Sequence, residues 1–535
     1  MSQFYWFYNK YKDRFLFISI LIVLIYLTNK VETYRGGLEN SIFNFFRFEF
    51  ILVSILSLSA LSILKKRFWS YLFIACSVIL LYVFFNEFYI YFNRIPKLSD
   101  LNQIPELLNV LSYTTIFTVF GSIIIYLLIL FNLLDVKNIR ALGLLPSLLL
   151  LFLSIKIYPE LYVWTFKKLG FEEIPYNKTM SARESGYLNY VFYEEAKRNI
   201  ALKALTQNYN FENRTLNLIP VKDLNNIHLL VLESFYDPNS FENLSFSENP
   251  IHTDFQSFND KQNFSTSPVY GGNTAQAEFE ILTGAPALSK YGSIEFNLFS
   301  GNKINSALPN LLRELGYSTI ATNALKPDIF NSYNAYRSLG FQEQYYITGD
   351  TYLKKGNEWF ISDSDLLDQN IKFIDSLLSR ASSKPIFNYV LGMYGHTPYS
   401  IDTSINPLKI DVYRNKEVKA EARLKRSVNQ IYYRTRALSN YIKKLNIIDP
   451  NAIILITGDH LPSFPGIDDL GYREKDLRKV PFYLIKGTKA VQLNNRSYHH
   501  FNLTEIILNF VFKENNVLSI NSEERYDEII LQSIQ

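Results

Sequence analysis

Five runs of apolar residues dominate the first part of the chain, at about 15–29, 46–64, 69–92, 112–134 and 141–158. Each is near the length of about 20 residues that a helix needs to cross the hydrocarbon core of a bilayer. The pattern predicts five membrane-spanning helices over residues 1–158. The fifth run, from Ala141 to Lys156, carries no ionised residue before its far end. The first is short and preceded by Lys10, Lys12 and Arg14, with no small-residue cleavage pattern after it, so it is expected to remain as an anchor. Past Tyr158 the pattern changes. Residues 159–225 are polar and aromatic, with a helix-like stretch around Glu194, and read as a linker.

From residue 226 short apolar runs alternate with helical spacings. Ile227–Leu232, Ser318–Thr322, Ile386–Leu391, Ala452–Thr457 and Phe482–Ile485 read as buried strands. Ala307–Leu315, stopped by Gly316, and the stretch from Ser364 to Leu378 read as helices between them. Strand–helix alternation at this spacing predicts an α/β domain over 226–515, with a mainly parallel sheet and flanking helices. Residues 516–535 are left as a C-terminal tail.

Composition sharpens the first half of this picture. Hydrophobic residues make up 48% of the 535 and charged residues 19%, with the apolar excess concentrated before residue 160. A net charge of +4 over this length gives no case for nucleic acid. The single cysteine, Cys76, lies in an apolar run, which excludes a disulfide framework and a thiolate metal site. Any metal must be held by oxygen and nitrogen. Orientation follows from the short loops. Lys10, Lys12 and Arg14, then Lys65, Lys66 and Arg67, then Lys137 and Arg140 fall on one side of a five-span bundle. Positive loops stay in the cytoplasm, so the part after residue 158 is expected outside.

The candidate chemistry centres on Pro268–Gly284. Gly271 and Gly272 let backbone approach a ligand, and Thr274 sits where a helix should begin, with Ala275, Phe279 and Leu282 as its apolar stripe and Gly284 as its stop. A helix N-terminus offers unpaired N–H groups to a phosphate. The plain alternative for Thr274 is an N-cap. Three predicted strands end in polar residues, and in open α/β sheets ligands bind beyond the carboxyl ends of strands. One runs into Glu233, one into Gly458-Asp459-His460, and one toward Gly395-His396-Thr397-Pro398. Two carboxylates and an imidazole suit Mn²⁺ or Zn²⁺, with the Thr274 oxygen as a fourth ligand. A metal is one recognised means of activating a hydroxyl nucleophile. His396 remains for a phosphate oxygen or for proton transfer to the leaving oxygen.

Taken together, the five spans, the linker, Leu230-Val-Leu-Glu233-Ser, Gly-Gly-Asn-Thr274-Ala-Gln-Ala-Glu-Phe-Glu, Gly-His396-Thr-Pro-Tyr and Thr-Gly-Asp459-His460 resemble the lipoteichoic acid synthase family over nearly the whole chain. These are membrane-bound phosphoglycerol transferases with a catalytic domain of sulfatase/alkaline-phosphatase type. The resemblance implies that Glu233, Thr274, Asp459 and His460 bind one divalent metal, Mn²⁺ first and Mg²⁺ or Zn²⁺ as alternatives, with Thr274 as nucleophile and His396 in the substrate pocket. It implies a multi-pass bacterial cytoplasmic-membrane protein with an extracytoplasmic catalytic domain. The donor would be phosphatidylglycerol, the product diacylglycerol, and the acceptor an envelope glycan, glycolipid or polyglycerol phosphate. Characterised synthases carry His after the strand read here as Ser318–Thr322, and a Trp-Asn-Arg patch beyond it. This chain has Asn323 and Phe330-Asn331-Ser332, which makes Asn323 the candidate head-group contact. No small-x-small site follows the fifth span, so release of the soluble half is not predicted.

Related activities are set apart by particular residues. A sulfatase makes its nucleophile from Cys or Ser in a Cys/Ser-x-Pro-x-Arg context, which Thr274-Ala-Gln-Ala does not offer. A two-zinc phosphatase needs further ligands, yet His228 falls inside a predicted strand and His252 in a polar loop. His499 and His500 precede the last apolar helix and cannot easily share one metal. Phosphoethanolamine transferases, whose well-known members carry periplasmic disulfides, are the runner-up, followed by a sulfatase-like phosphodiesterase. A domain that only binds glycan would not need all four site residues.

Overall fold

In the computed structural model the five apolar runs are helical, over Ser2–Tyr34, Phe48–Ile63, Phe68–Phe92, Tyr113–Leu133 and Leu145–Lys156. The structure describes residues 2–34, 48–65, 68–92, 95–98, 113–135, 145–168, 182, 185–208, 223–288, 290–291, 294–327, 329–348, 360–379, 384–415, 418–464, 466–494, 497–512 and 522–534. Among these, Phe68–Tyr89 is the one segment long and apolar enough to cross a bilayer, while Glu49–Ile63 and Phe120–Leu133 are shorter apolar helices. Phe17, Leu21, Ile25, Leu52, Val53, Ile74, Tyr82 and Phe85 form a buried cluster, whereas Phe117, Ile125, Leu128 and Phe131 lie exposed along one helix. The loop residues Lys66, Arg67, Lys137 and Arg140, used for orientation, fall outside the described residues.

Within 159–225 the structure describes the helices Pro159–Lys168 and Tyr187–Asn208, which pack on each other through Tyr162, Phe166, Tyr193 and Ala196. Tyr187 and Tyr190 also join the buried cluster of the preceding helices. The first compact unit therefore runs from Met1 to Tyr209, and the second from Asn210 to Gln535.

The second unit is built on a nine-stranded sheet. Its path is β12 (Tyr498–His499), β3 (Asn263–Thr266), β10 (Lys479–Lys486), β9 (Ile453–Gly458), β1 (Ile227–Leu232), β6 (Ile386–Gly392), β4 (Ser318–Asn323) and β5 (Glu343–Tyr346), with β11 (Lys489–Val491) on β10. β9, β1, β6, β4 and β5 run parallel, and every residue of β1, β6 and β9 is buried, as continuous apolar strands between helices should be. β10 is antiparallel to β9, β3 and β11, so the sheet is mixed and mostly parallel. A smaller antiparallel sheet joins β2 (Leu244–Phe246), β7 (Val412–Arg414) and β8 (Val418–Lys419).

Two helices, Asp363–Ser379 and Ala422–Ile448, pack side by side and are joined by a buried ion pair, Arg434 Nε to Asp363 Oδ2 at 2.6 Å. The Arg434 guanidinium also lies over the Phe235 ring. A side chain at Gly395 would come within 2.1 Å of the Glu233 carbonyl and 2.3 Å of Arg434 Nη1, so this turn after β6 admits only glycine. Within the C-terminal stretch, residues 522–534 are described. Ser522–Ile534 is a helix with Tyr526, Ile529 and Ile530 fully buried, an i, i+3, i+4 stripe.

Candidate active site and metal centre

Register places the site before any side chain is considered. Leu232 of β1 stands opposite Gly392 of β6 and Gly458 of β9, so the residues that follow all three strands emerge at one edge of the sheet. Glu233 and Asp459 are the first of them. The chain turns sharply at Ser234, where φ is +50°, and this aims the Ser234 N–H at Asp459 Oδ1, 2.7 Å away. The Ser234 hydroxyl donates to Glu233 Oε1 at 2.8 Å, and the His460 N–H also donates to Asp459 Oδ1, at 2.8 Å. Ser234 thus positions both carboxylates, a role the sequence reading missed. Its signal is its place directly after Glu233.

The remaining atoms converge. His460 Nε2 lies 3.2 Å from Asp459 Oδ2 and 3.5 Å from Glu233 Oε1. Asp459 Oδ2 and His460 Nε2 are buried with no hydrogen-bond partner. Buried polar atoms without partners are rare in native proteins and call for an explanation. One ligand atom from each of Glu233, Asp459 and His460 falls within 4.8 Å of the others, all three residues being buried. Oxygen and imidazole donors around one point fit a divalent cation of the Mn²⁺, Mg²⁺ or Zn²⁺ type.

Electrostatics point the same way. Burial pushes the Asp459 carboxyl up, and the charge of Glu233 adds to this, to about 6. Burial also pushes Glu233 up, but His460, His396 and the hydroxyls of Ser234 and Thr274 together hold it below its ordinary value. Burial lowers His460, yet Asp459 and Glu233 outweigh it and leave the imidazole raised. Two carboxylates crowded against one buried imidazole is an arrangement whose charge a cation would balance.

Thr274 completes the group from the far side. Gly271 and Gly272 have φ of +69° and +155°, Asn273 is left-handed at +66°, and the helix Thr274–Thr283 starts immediately after. A Cβ at Gly271 would sit 2.7 Å from Ser463 Cβ, whereas one at Gly272 would meet nothing within 4 Å. The loop is thus pinned at Gly271 and open at Gly272. Thr274 is the first helical residue, directly after the left-handed Asn273. Its hydroxyl, buried, donates to Glu233 Oε2 at 2.9 Å instead of to the helix backbone. Gly284 ends the helix in the left-handed conformation, as expected of a C-terminal stop.

The other candidates divide. His396 follows β6 at the rim, half-buried, its Nδ1 2.7 Å from the Thr397 carbonyl and its ring 5.2 Å from that of Phe360. It is close enough to Glu233 to act on its charge. Asn323, the last residue of β4, is buried. Its Nδ2 donates to the Tyr336 hydroxyl at 3.1 Å and its Oδ1 accepts the Leu325 N–H at 2.8 Å. It belongs to a network in which Tyr336 and Tyr389 both donate to Glu278. His500 is buried between Ser265 Oγ at 3.0 Å and the Gly458 carbonyl at 3.2 Å, so it props the β9 end without reaching the metal position. His228, near the start of β1, is buried between Asp449 and Asn388.

Glu280, on the Thr274 helix, gives a pH prediction. Burial raises its carboxyl to about 8, although the Ala287 N–H is donated to it. A carboxyl raised on folding holds its proton in the native state, so its contribution is fully present below about 4.5 and is lost as pH rises through about 8. Glu280→Gln is therefore expected to leave the thermal midpoint unchanged at pH 4 and to raise it at pH 8.5. Unfolding followed at both pH values checks this, and equal shifts would contradict it.

A curated relative, a putative cyclic β-1,2-glucan modification protein of Rhizobium meliloti, is 25% identical over 329 residues, 59% of this chain. The match spans about half of that relative's length, 48%. Among solved structures, the phosphoglycerol transferase GacH of Streptococcus pyogenes aligns with a TM-score of 0.46 and 16% identity, covering 63% of this chain and 90% of that one. The lipoteichoic acid synthase LtaP of Listeria monocytogenes aligns with a TM-score of 0.42 and 16% identity, covering 55% and 76%. The Sulfatase family matches residues 225–511, which takes in Glu233, Thr274, His396, Asp459 and His460. Because that match runs over more than half of the sequence and from before β1 to the end of the His500–Leu508 helix, the chain belongs to the sulfatase family.

Proposed function

We propose that the protein is a metal-dependent phosphoglycerol transferase of the cell envelope. It takes the head group of phosphatidylglycerol, holds it on Thr274, and passes it to a glycan, glycolipid or polyglycerol phosphate acceptor. The observation that carries this reading is the Thr274 hydroxyl on Glu233 Oε2 beside the unpartnered Asp459 Oδ2 and His460 Nε2. Thr274 itself supports transfer over sulfate-ester hydrolysis, since a threonine followed by Ala275 and Gln276 is no formylglycine precursor. The glucan in the name of the Rhizobium relative supports a saccharide acceptor.

Glu233, Asp459 and His460 would hold the cation, Mn²⁺ by the family resemblance, with Thr274 as fourth ligand. A cation there stabilises negative charge on the hydroxyl oxygen and on the phosphoryl group. The Thr274 oxygen forms a bond to phosphorus as the bond from phosphorus to the diacylglycerol oxygen breaks. The Thr274 hydroxyl gives up its proton to solvent before attack, and His396 gives a proton to the departing oxygen. In the second step the acceptor oxygen bonds to phosphorus as the bond from phosphorus to the Thr274 oxygen breaks, and the acceptor's hydroxyl proton returns to His396. Asn323, held by Tyr336 at the end of β4, is assigned to the head-group side of the pocket.

The five N-terminal helices are assigned to the membrane. Support comes from the exposed Phe117, Ile125, Leu128 and Phe131, an apolar face that water would not tolerate at this extent. With basic loops inside, the catalytic unit lies outside, where the donor's outer-leaflet head group is reached. Full-length protein in vesicles containing fluorescent phosphatidylglycerol and, separately, fluorescent phosphatidylethanolamine tests the reading. Diacylglycerol from phosphatidylglycerol is expected. Diacylglycerol from phosphatidylethanolamine alone would replace it with phosphoethanolamine transfer.

A further inference from the structure

The helix Ser522–Ile534 lies beyond the residues matched to the family, 225–511, yet its polar groups reach both ends of the helix that begins with Thr274. At the carboxyl end, Arg525 Nε donates to the Thr283 carbonyl at 2.8 Å and Arg525 Nη2 donates to the Ser306 carbonyl at 2.8 Å. Thr283 is the last residue of the Thr274 helix, and a cation on terminal carbonyls complements the helix dipole. Arg525 is 2% exposed and makes these contacts inside the protein.

At the other end the link runs through Tyr526. Its ring stands edge-on to Phe279 of the Thr274 helix, with centroids 5.7 Å apart, and stacks on Tyr291 at 5.9 Å. Its hydroxyl donates to Glu295 Oε1 at 3.3 Å and accepts the Lys290 N–H at 3.2 Å. Glu295 Oε2 in turn accepts from Gln276 Nε2 at 3.1 Å. Gln276 stands in the first turn of the helix, two residues after Thr274. Asp527 fastens the intervening segment by accepting from the Tyr291 hydroxyl at 2.7 Å and pairing with Lys290. Apolar residues would fill these buried places at less desolvation cost. What directional hydrogen bonds add is a fixed rotation and translation of the helix along its own axis.

We propose that the C-terminal helix is a positioning element for the nucleophile: Arg525 fixes the carboxyl end of the Thr274 helix, and the Tyr526–Glu295–Gln276 chain fixes its first turn, so that the Thr274 oxygen is held against Glu233. The assignment rests on the proposed role of Thr274. Misplacement of a reacting group by about 1 Å costs up to roughly a hundredfold in rate, so a brace of this kind acts on turnover more than on binding.

The test uses the full-length protein in detergent with Mn²⁺ and phosphatidylglycerol, comparing Tyr526→Phe, Arg525→Met and Thr274→Ala with the parent. Tyr526→Phe keeps the ring contacts and removes only the hydroxyl. It is expected to speed amide hydrogen exchange over residues 274–279 by about tenfold and to lower kcat by about tenfold. KM and metal content should stay at parental values. Arg525→Met should speed exchange over 279–284 in the same way, and if it fails to fold, Tyr526→Phe decides alone. Unchanged exchange and unchanged kcat in Tyr526→Phe, with Thr274→Ala inactive, would overturn the positioning role alone. Normal turnover by Thr274→Ala would instead overturn the nucleophile reading on which it rests.

Discussion

Thr274→Ala is expected to lower diacylglycerol release by at least about a thousandfold, because the atom that would bond to phosphorus is gone. The fold should survive. Thr274 is buried and its hydroxyl donates to Glu233 Oε2, so removing it costs the net value of one hydrogen bond to a charged group, about 1.5–3 kcal/mol. Glu233 keeps the Ser234 hydroxyl on its other oxygen. Thr274→Ser retains an oxygen on the same Cβ and is expected to keep partial activity. The measurement is initial rate with fluorescent phosphatidylglycerol, alongside thermal unfolding of the same preparations. Parental turnover by a folded Thr274→Ala protein would remove Thr274 from the chemistry.

Asp459→Asn is expected to weaken metal binding by at least about a hundredfold and to reduce turnover in proportion. Asparagine keeps the shape and the acceptor that Ser234 and His460 use, Oδ1, and replaces the unpartnered Oδ2 by a neutral amide. With one anionic ligand of so few removed, Mn²⁺ should no longer raise the thermal midpoint, whereas it should do so for the parent. Elemental analysis after dialysis against Mn²⁺ gives the stoichiometry directly. A variant that retained one metal per chain and full turnover would contradict the assigned centre.

Much of this site is legible before the structure because it is made at strand ends. A run such as Ile227–Leu232 is apolar at every position because it is buried on both faces, so the polar residue that breaks it, Glu233, stands out. The same holds for Ile453–Gly458 ahead of Asp459 and His460. Thr274 is legible through the paired glycines and the helical stripe that follows. What the sequence conceals is pairing and rotation. The apolar stretch Phe482–Ile485 within Lys479–Lys486 resembles that of its neighbour Ile453–Gly458, and nothing in its composition shows that it runs antiparallel to it. The sharp turn at Ser234 is invisible because serine is no marker of positive φ. Asn273 tolerates the left-handed region, so its conformation agrees with its residue type without being marked by it. The stripe of Tyr526, Ile529 and Ile530 was readable in principle, but its charged flanks made it resemble a solvated end.

The central claim is that the head group is stored on Thr274 between donor and acceptor. It is tested most directly by mass spectrometry of the intact protein and its peptides after reaction with phosphatidylglycerol and Mn²⁺, with no acceptor supplied. The account predicts a phosphoglycerol adduct on Thr274, formed in step with a stoichiometric burst of diacylglycerol, and cleared when an acceptor is added. An adduct on another residue, or sustained diacylglycerol release with Thr274 unmodified throughout, would contradict it.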